Sequence, residues 1–179
     1  LFLMTDQHRF DLAGFAGNSV VRTPNLDRLA ETGVVFRNAY TPAPVCVPGR
    51  QCLMSGQLPK TCGCEGWIDL APGYRTFARE FARYAYSTAC AGKLHHRGRD
   101  QMQGWLQRIA PDAQVSPNYI QDRIEAEFAR YKPAPGTGKW SNQREVDEAR
   151  PADGPWQQFD RRVVNGSLDF LTRYFEDPE

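Results

Sequence analysis

The chain has 179 residues, a formal net charge of +1, 41% hydrophobic and 24% charged residues. That length is enough for one domain with its own core, and the composition is globular rather than disordered. The near-neutral balance excludes a global field that would draw nucleic acid or a membrane surface, so any anion site has to be built locally.

Leu1-Phe2-Leu3-Met4 is a short apolar run and predicts a buried strand ending at Thr5-Asp6-Gln7. Pro24 to Glu31 predicts a helix with Leu26, Leu29 and Ala30 on one face and Gly33 as its C-cap. Val34 to Ala39 has strand composition. Pro48 suits the first turn of a helix running through Arg50 and Leu53 to Gly56. Arg75 to Tyr84 predicts a helix from the spacing of Phe77, Phe81 and Tyr84. Ser87 to Ala91 predicts a strand leading into Gly92.

Residues 118–131 predict a further helix. Residues 132–157 hold many prolines and glycines, with Trp140 and Trp156, and predict a long surface excursion. Val164, Leu168, Leu171 and Phe175 form the stripe of a last helix. Alternating helices and short apolar strands argue an α/β sheet covered by helices. No apolar run approaches the roughly 18 residues of a membrane span, so no membrane is expected as a partner.

The chain begins at Leu1 without an initiator Met and stops just after a helical pattern. We therefore expect a fragment of a larger protein, inactive if made alone. It leaves the compartment open between periplasmic or secreted and cytoplasmic. The oligomeric state is open too.

Asp6 follows a predicted strand, where sites in α/β sheets gather, and a carboxylate there can hold a hard cation. Taken alone it reads as a turn residue. Cys46 and Arg50 are four apart, which on a helix puts them on one face. Cys46 then sits at a helix N-terminus, where free backbone N–H groups favour negative charge, and Arg50 adds a planar fork suited to tetrahedral oxyanions. The plain alternative is a buried thiol beside a surface arginine. Lys93 and His95, two apart in extended chain, would point the same way. They offer a point charge for a sulfuryl or phosphoryl oxygen and a proton carrier near neutral pH. The plain alternative is a solvated lysine beside a loop histidine, the reading we give His96.

The five cysteines, Cys46, Cys52, Cys62, Cys64 and Cys90, are an odd number and do not predict a closed disulfide framework. Cys62-Gly63-Cys64 lacks a second ligand pair nearby, so loop thiols in a reducing compartment, or a local disulfide partner, are favoured over zinc. Asn165-Gly166-Ser167 matches a glycosylation acceptor but falls in a predicted helix. The four tryptophans, Trp67, Trp105, Trp140 and Trp156, read as core aromatics before any sugar platform.

Four stretches together resemble the type I sulfatases of the alkaline phosphatase superfamily. They are Met4-Thr5-Asp6-Gln7-His8-Arg9, residues 23–30, Cys46-Val47-Pro48-Gly49-Arg50 through Ser55-Gly56, and Gly92-Lys93-Leu94-His95. The likeness covers most of residues 1–100 and then thins. It implies a central mixed, largely parallel sheet with helices on both faces, incomplete at the C-terminus, with residues 1–179 as the N-terminal part of one catalytic domain.

The same resemblance implies a sulfuric ester hydrolase. Cys46 would be oxidised to formylglycine by a separate formylglycine-generating enzyme, and its hydrate would attack sulfur in a sulfate monoester. Asp6 and position 46 would bind a divalent cation, with Gln7 as a weak neutral third ligand. Ca²⁺ is favoured, with Mg²⁺ or Mn²⁺ as alternatives. Arg50 would brace the formylglycine, Lys93 would bridge sulfate and cation, and His95 would take a proton. The family's remaining metal ligands would lie beyond residue 179.

Two departures stand out. Gln7 replaces the second of the paired aspartates common in the family, and Gly49 stands where Ser is common. The alternatives are a phosphonate monoester or phosphodiester hydrolase using the same group, and a non-catalytic binding domain derived from a sulfatase.

Overall fold

The structure, a computed structural model, describes residues 1–110, 112 and 155–176, with the side chains of residues 155 and 156 left aside. The predicted helix at 118–131 lies outside the described residues, as do Trp140 and all but the last three positions of the 132–157 excursion. Those three already belong to the final helix. Contacts group the chain into two compact units, Leu1–Tyr40 and Thr41–Glu179.

The first unit is built on helix α1 (Pro24–Thr32). Pro24 occupies its first turn, where a missing N–H costs nothing, and Asp27 sits near the positive end of the helix dipole. Asp27 Oδ1 also accepts the Phe15 N–H at 2.7 Å and the Thr23 hydroxyl at 2.9 Å, so one carboxylate pins the Gly14–Ala16 turn to the helix. Gly33 ends the helix in extended backbone, with φ −116°, rather than as a left-handed cap.

Two expected strands are not formed. Leu1–Met4 and Val34–Ala39 have no strand pairing among the described residues. Leu1 is 98% exposed and Val34 81%. Apolar composition specifies a strand only where a neighbour takes its backbone N–H and C=O groups.

The second unit carries helices α2 (Cys46–Ser55), α3 (Pro59–Cys62) and α4 (Phe77–Arg83), strands β1 (Ala89–Ala91) and β2 (Gln107–Ala110), and helix α5 (Pro155–Glu176). Helix α2 ends at Gly56, whose φ of 67° is the left-handed cap that its sequence predicts. Helix α4 starts at Thr76, whose hydroxyl accepts the Arg79 N–H at 3.2 Å and donates to the Gln103 carbonyl at 2.5 Å.

Helices α2, α3 and α4 close over a sulfur-rich core of Cys52, Met54, Cys62, Cys64, Leu70 and Ala78. Trp105 packs against it, edge-on to Phe77 at 5.4 Å. Cys62 closes α3 and Cys64 lies in the loop after it, and both are buried packing groups. Burial first, then Cys62, Asp69 and Cys52, push the Cys64 thiol up to about 12. All five cysteines are free.

Strands β1 and β2 pair in parallel, Ala89 opposite Gln107 and Ala91 opposite Ala110, with an irregularity after Cys90. A parallel pair joined through intervening chain and covered by a helix is α/β architecture. Helix α5 lies on the sheet through Val163 and Gly166. A Cβ on Gly166 would sit 3.6 Å from Ile109 Cγ2, and one on Gly92 would sit 3.0 Å from Val163 Cγ1. The stripe expected to be buried is the other one. Val164, Leu168 and Phe175 are 54%, 57% and 75% exposed. Of that stripe only Leu171 is half-buried, on a face it shares with Val163, Gly166, Ser167 and Phe170.

Candidate active site

Cys46 is the first residue of α2, with Val45 as N-cap in extended backbone, and is half-buried. Its backbone N–H and that of Val47 belong to the donors that a helix leaves unpaired at its start, and Pro48 at the third position has none to give. Arg50 lies one turn further on the same face. Its Nη1 donates to the Lys93 carbonyl at 2.5 Å, across 43 residues of sequence. That bond ties the Cys46 helix to the segment after β1.

Gly92 leaves β1 with φ 81°, and Val163 leaves no room for a Cβ there without adjustment. The following residues form a loop rather than extended chain. His95 has φ 58°, an uncommon left-handed conformation for a residue with a Cβ. Two carboxylates hold this loop. Asp112 Oδ2 accepts the N–H of Leu94 at 2.8 Å and that of His95. Asp69 Oδ2 accepts the N–H groups of Arg97 and Gly98, each at 2.6 Å.

Asp69 is in turn joined to α2. Gln51, fully buried, offers its Nε2 to Asp69 Oδ1 at 3.5 Å, and its Oε1 accepts Leu70 N–H at 3.2 Å and Gln103 Nε2 at 2.9 Å.

His95 is 1% exposed, and neither ring nitrogen has a hydrogen-bond partner among the described residues. Its ring meets Trp67 edge to face at 5.3 Å. Burial holds its pKa below the ordinary histidine range, helped by Lys93, Arg50 and Arg97 and opposed by Asp112. The imidazole is thus biased toward its neutral form, with neither nitrogen committed among the described residues. His96 is not the solvated loop residue expected. It is 2% exposed, with Nδ1 against the Gln101 carbonyl at 3.1 Å.

Arg50, Lys93 and His95 thus come together in the second unit, with Cys46 one turn away on α2. Asp6 and Gln7 lie exposed in the first unit, where Gln7 has φ 53°.

The charges around His95 are cationic except for Asp112, whose carboxylate already serves two backbone N–H groups and stands 3.7 Å from Arg108. The groups around His95 itself fit an oxyanion. Among the described residues, no three His, Cys, Asp or Glu side chains gather as a metal-holding group.

Sequence reasoning missed Asp112, Asp69 and Gln51. They act through backbone N–H groups, and only the tertiary fold reveals those partners.

The sulfatase family model matches residues 1–178. The chain is 40% identical to an arylsulfatase of Clostridium perfringens over 97 residues, covering 53% of this chain and 20% of that protein. It is 31% identical to a choline-sulfatase of Rhizobium meliloti over 158 residues, covering 83% of this chain and 31% of the relative. With the uncharacterized sulfatase YidJ of Escherichia coli it shares 29% identity over 177 residues, covering 96% and 34%. The chain therefore spans between a fifth and about a third of the length of these relatives. With the family model running through Cys46, Arg50, Lys93 and His95 alike, the chain belongs to the sulfatase family.

Proposed function

We propose that the protein is a sulfuric ester hydrolase that cleaves sulfate monoesters, with formylglycine at position 46 and a divalent cation at the site. The observation that carries the reading is the Arg50–Lys93 hydrogen bond, which joins the Cys46 helix to a loop holding a buried, neutral His95. Relatives named arylsulfatase and choline-sulfatase support the same chemistry.

The modified side chain would supply a hydroxyl nucleophile toward sulfur, and a bound cation would supply positive charge against the transferring group. Asp6 and position 46 are its proposed ligands, with Gln7 as a neutral third. Ca²⁺ is the favoured ion, and Mg²⁺ or Mn²⁺ are the alternatives.

The chain's own residues do the rest. Arg50 braces position 46 and, through the Lys93 carbonyl, fixes the distance between helix and loop. The Lys93 ammonium takes a sulfate oxygen and offsets charge that grows on it. His95, biased toward its neutral form and without a competing partner among the described residues, accepts a proton from the position-46 group. Asp112 keeps the loop backbone from relaxing.

We further read β1, β2 and α5 as part of a central mixed, largely parallel sheet with helices on both faces. Residues 1–179 would form the N-terminal part of one catalytic domain. The expected partners are a sulfate ester and a formylglycine-generating enzyme.

The test is to make the full-length protein alongside such an enzyme. Mass spectrometry of the peptide containing position 46 should show thiol converted to aldehyde. The protein should turn over 4-nitrophenyl sulfate faster than an aryl phosphonate, and Cys46→Ala should abolish turnover. Full activity in Cys46→Ala would sink the reading. A preference for the phosphonate would replace the substrate.

A further inference from the structure

Trp67 and Arg97 are used by none of the steps above, yet both sit against His95. Trp67 is 54% exposed while its ring meets the His95 ring at 5.3 Å and an interplanar angle of 73°. Arg97 Cζ lies 5.2 Å from the centre of the Trp67 ring. The main chain of Arg97 is fixed as well, because Asp69 Oδ2 takes its N–H and that of Gly98.

Asp69 is thereby committed to backbone, and no carboxylate pairs with the Arg97 guanidinium among the described residues. A guanidinium stacked on an indole leaves its N–H edge free, and that edge matches the two oxygens of a carboxylate or sulfate.

The charge balance points the same way. Arg50, Lys93 and Arg97 all act on His95. Arg50 is bonded to the Lys93 carbonyl, and Lys93 is assigned to the scissile group. A sulfate monoester brings one negative charge to that pair. Arg97 is a further cation, set over the ring of the exposed Trp67.

We propose that Trp67 and Arg97 form a subsite for the alcohol portion of the substrate, selecting sulfate esters whose alcohol carries a second anionic group. This rests on the sulfatase reading of the same site. The indole edge lines the space beside His95, and the guanidinium takes the second anion in a two-point contact.

The probes are phenyl sulfate and 2-carboxyphenyl sulfate, given to the full-length matured protein. The readout is the ratio of kcat/KM for the carboxylated ester to that for the plain one. Dividing each variant's ratio by the wild-type ratio cancels the intrinsic reactivity of the esters.

Loss of a charged two-point contact predicts a fall in that ratio of about tenfold or more in Arg97→Ala. A larger fall is expected in Arg97→Glu, and a smaller one in Trp67→Phe than in Trp67→Ala. Arg97 is exposed, so its two variants leave packing intact. A ratio unchanged in Arg97→Glu overturns the proposal.

Binding of both esters to full-length Cys46→Ala by calorimetry separates the two readings. If the wild type hydrolyses neither ester, the sulfatase reading falls. The subsite still stands if Cys46→Ala binds the carboxylated ester more tightly through Arg97, and falls if it does not.

Discussion

Asp112 accepts the backbone N–H of His95 although 17 residues separate them, and the same Oδ2 atom also takes the N–H of Leu94. A fully buried carboxylate thus shapes the loop that presents Lys93 and His95. Asp112→Ala leaves these donors without an acceptor, at about 1–3 kcal/mol each, and should lower the melting temperature. Asp112 is also the charge that opposes the lowering of the His95 pKa. Its loss should therefore move the acid limb of the kcat profile to lower pH. Asp112→Asn, which keeps an acceptor oxygen, should regain much of the stability but not the pH shift. An unmoved acid limb in both variants would show that Asp112 is structural only.

Arg50 is predicted to be intolerant of lysine. The Arg50 Nη1 bond to the Lys93 carbonyl uses the reach of the guanidinium, and lysine offers a point charge on a different stem. Losing a hydrogen bond from a charged donor costs roughly 1.5–3 kcal/mol. Arg50→Lys should therefore reduce kcat/KM for 4-nitrophenyl sulfate about ten- to a hundredfold. The position-46 peptide should be weighed in the same preparation, so that incomplete maturation is not read as lost catalysis. Turnover within twofold of wild type at equal maturation would remove Arg50 from the site.

The helices were legible in the sequence because their punctuation is local. Pro24, Pro48 and Gly56 mark starts and stops through backbone geometry alone, and α1, α2 and α4 lie close to their expected spans. Strand β2, Gln107–Ala110, was not legible, because its four residues are half polar and its pairing to β1 is set by distant chain. The face of α5 was misread for a related reason. The apolar spacing of Val164, Leu168, Leu171 and Phe175 marked one face, while the sheet takes Val163 and Gly166 at close range. The motif residues Cys46, Arg50, Lys93 and His95 could be picked out, but not the loop form that presents two of them. That form depends on Asp112 and Asp69.

Two buried histidines predict a specific acid sensitivity. The pKa of His95 is lowered by burial and then by Lys93, Arg50 and Arg97, against Asp112. That of His96 is lowered by burial and Arg108, against the Gln101 carbonyl, Asp69 and Asp112. The unfolded chain, with histidines near 6.5, binds their protons first as pH falls. Stability is then fully present above about 6.5 and declines as pH drops toward the folded pKa values. Melting temperatures between pH 8 and pH 5 should fall less steeply in His95→Gln than in wild type, and less again when His96→Gln is added. Parallel slopes in all three proteins would contradict a buried neutral pair.

Gly49 is the departure from the common family motif that the structure explains. A Cβ at this position would lie 2.8 Å from the Ala43 carbonyl oxygen, a backbone atom that the Thr41 hydroxyl also holds at 3.0 Å. Two effects oppose each other in Gly49→Ala. Helix propensity favours alanine over glycine by about 1 kcal/mol. Overpacking against a backbone atom costs about 1–3 kcal/mol. The carbonyl cannot turn away as a flexible side chain would, so we expect overpacking to win and the melting temperature to fall. Gly49→Ser should behave similarly, although serine is the residue common in the family. The strain should also reach the site, because residues 41–45 lead directly into Cys46. Conversion of Cys46 should therefore be less complete in Gly49→Ser than in wild type when both are made with the same formylglycine-generating enzyme. The measurement pairs a thermal melt with mass spectrometry of the position-46 peptide. A melting temperature raised by Gly49→Ala would mean that the segment at Ala43 gives way freely, and that glycine is not required there by space.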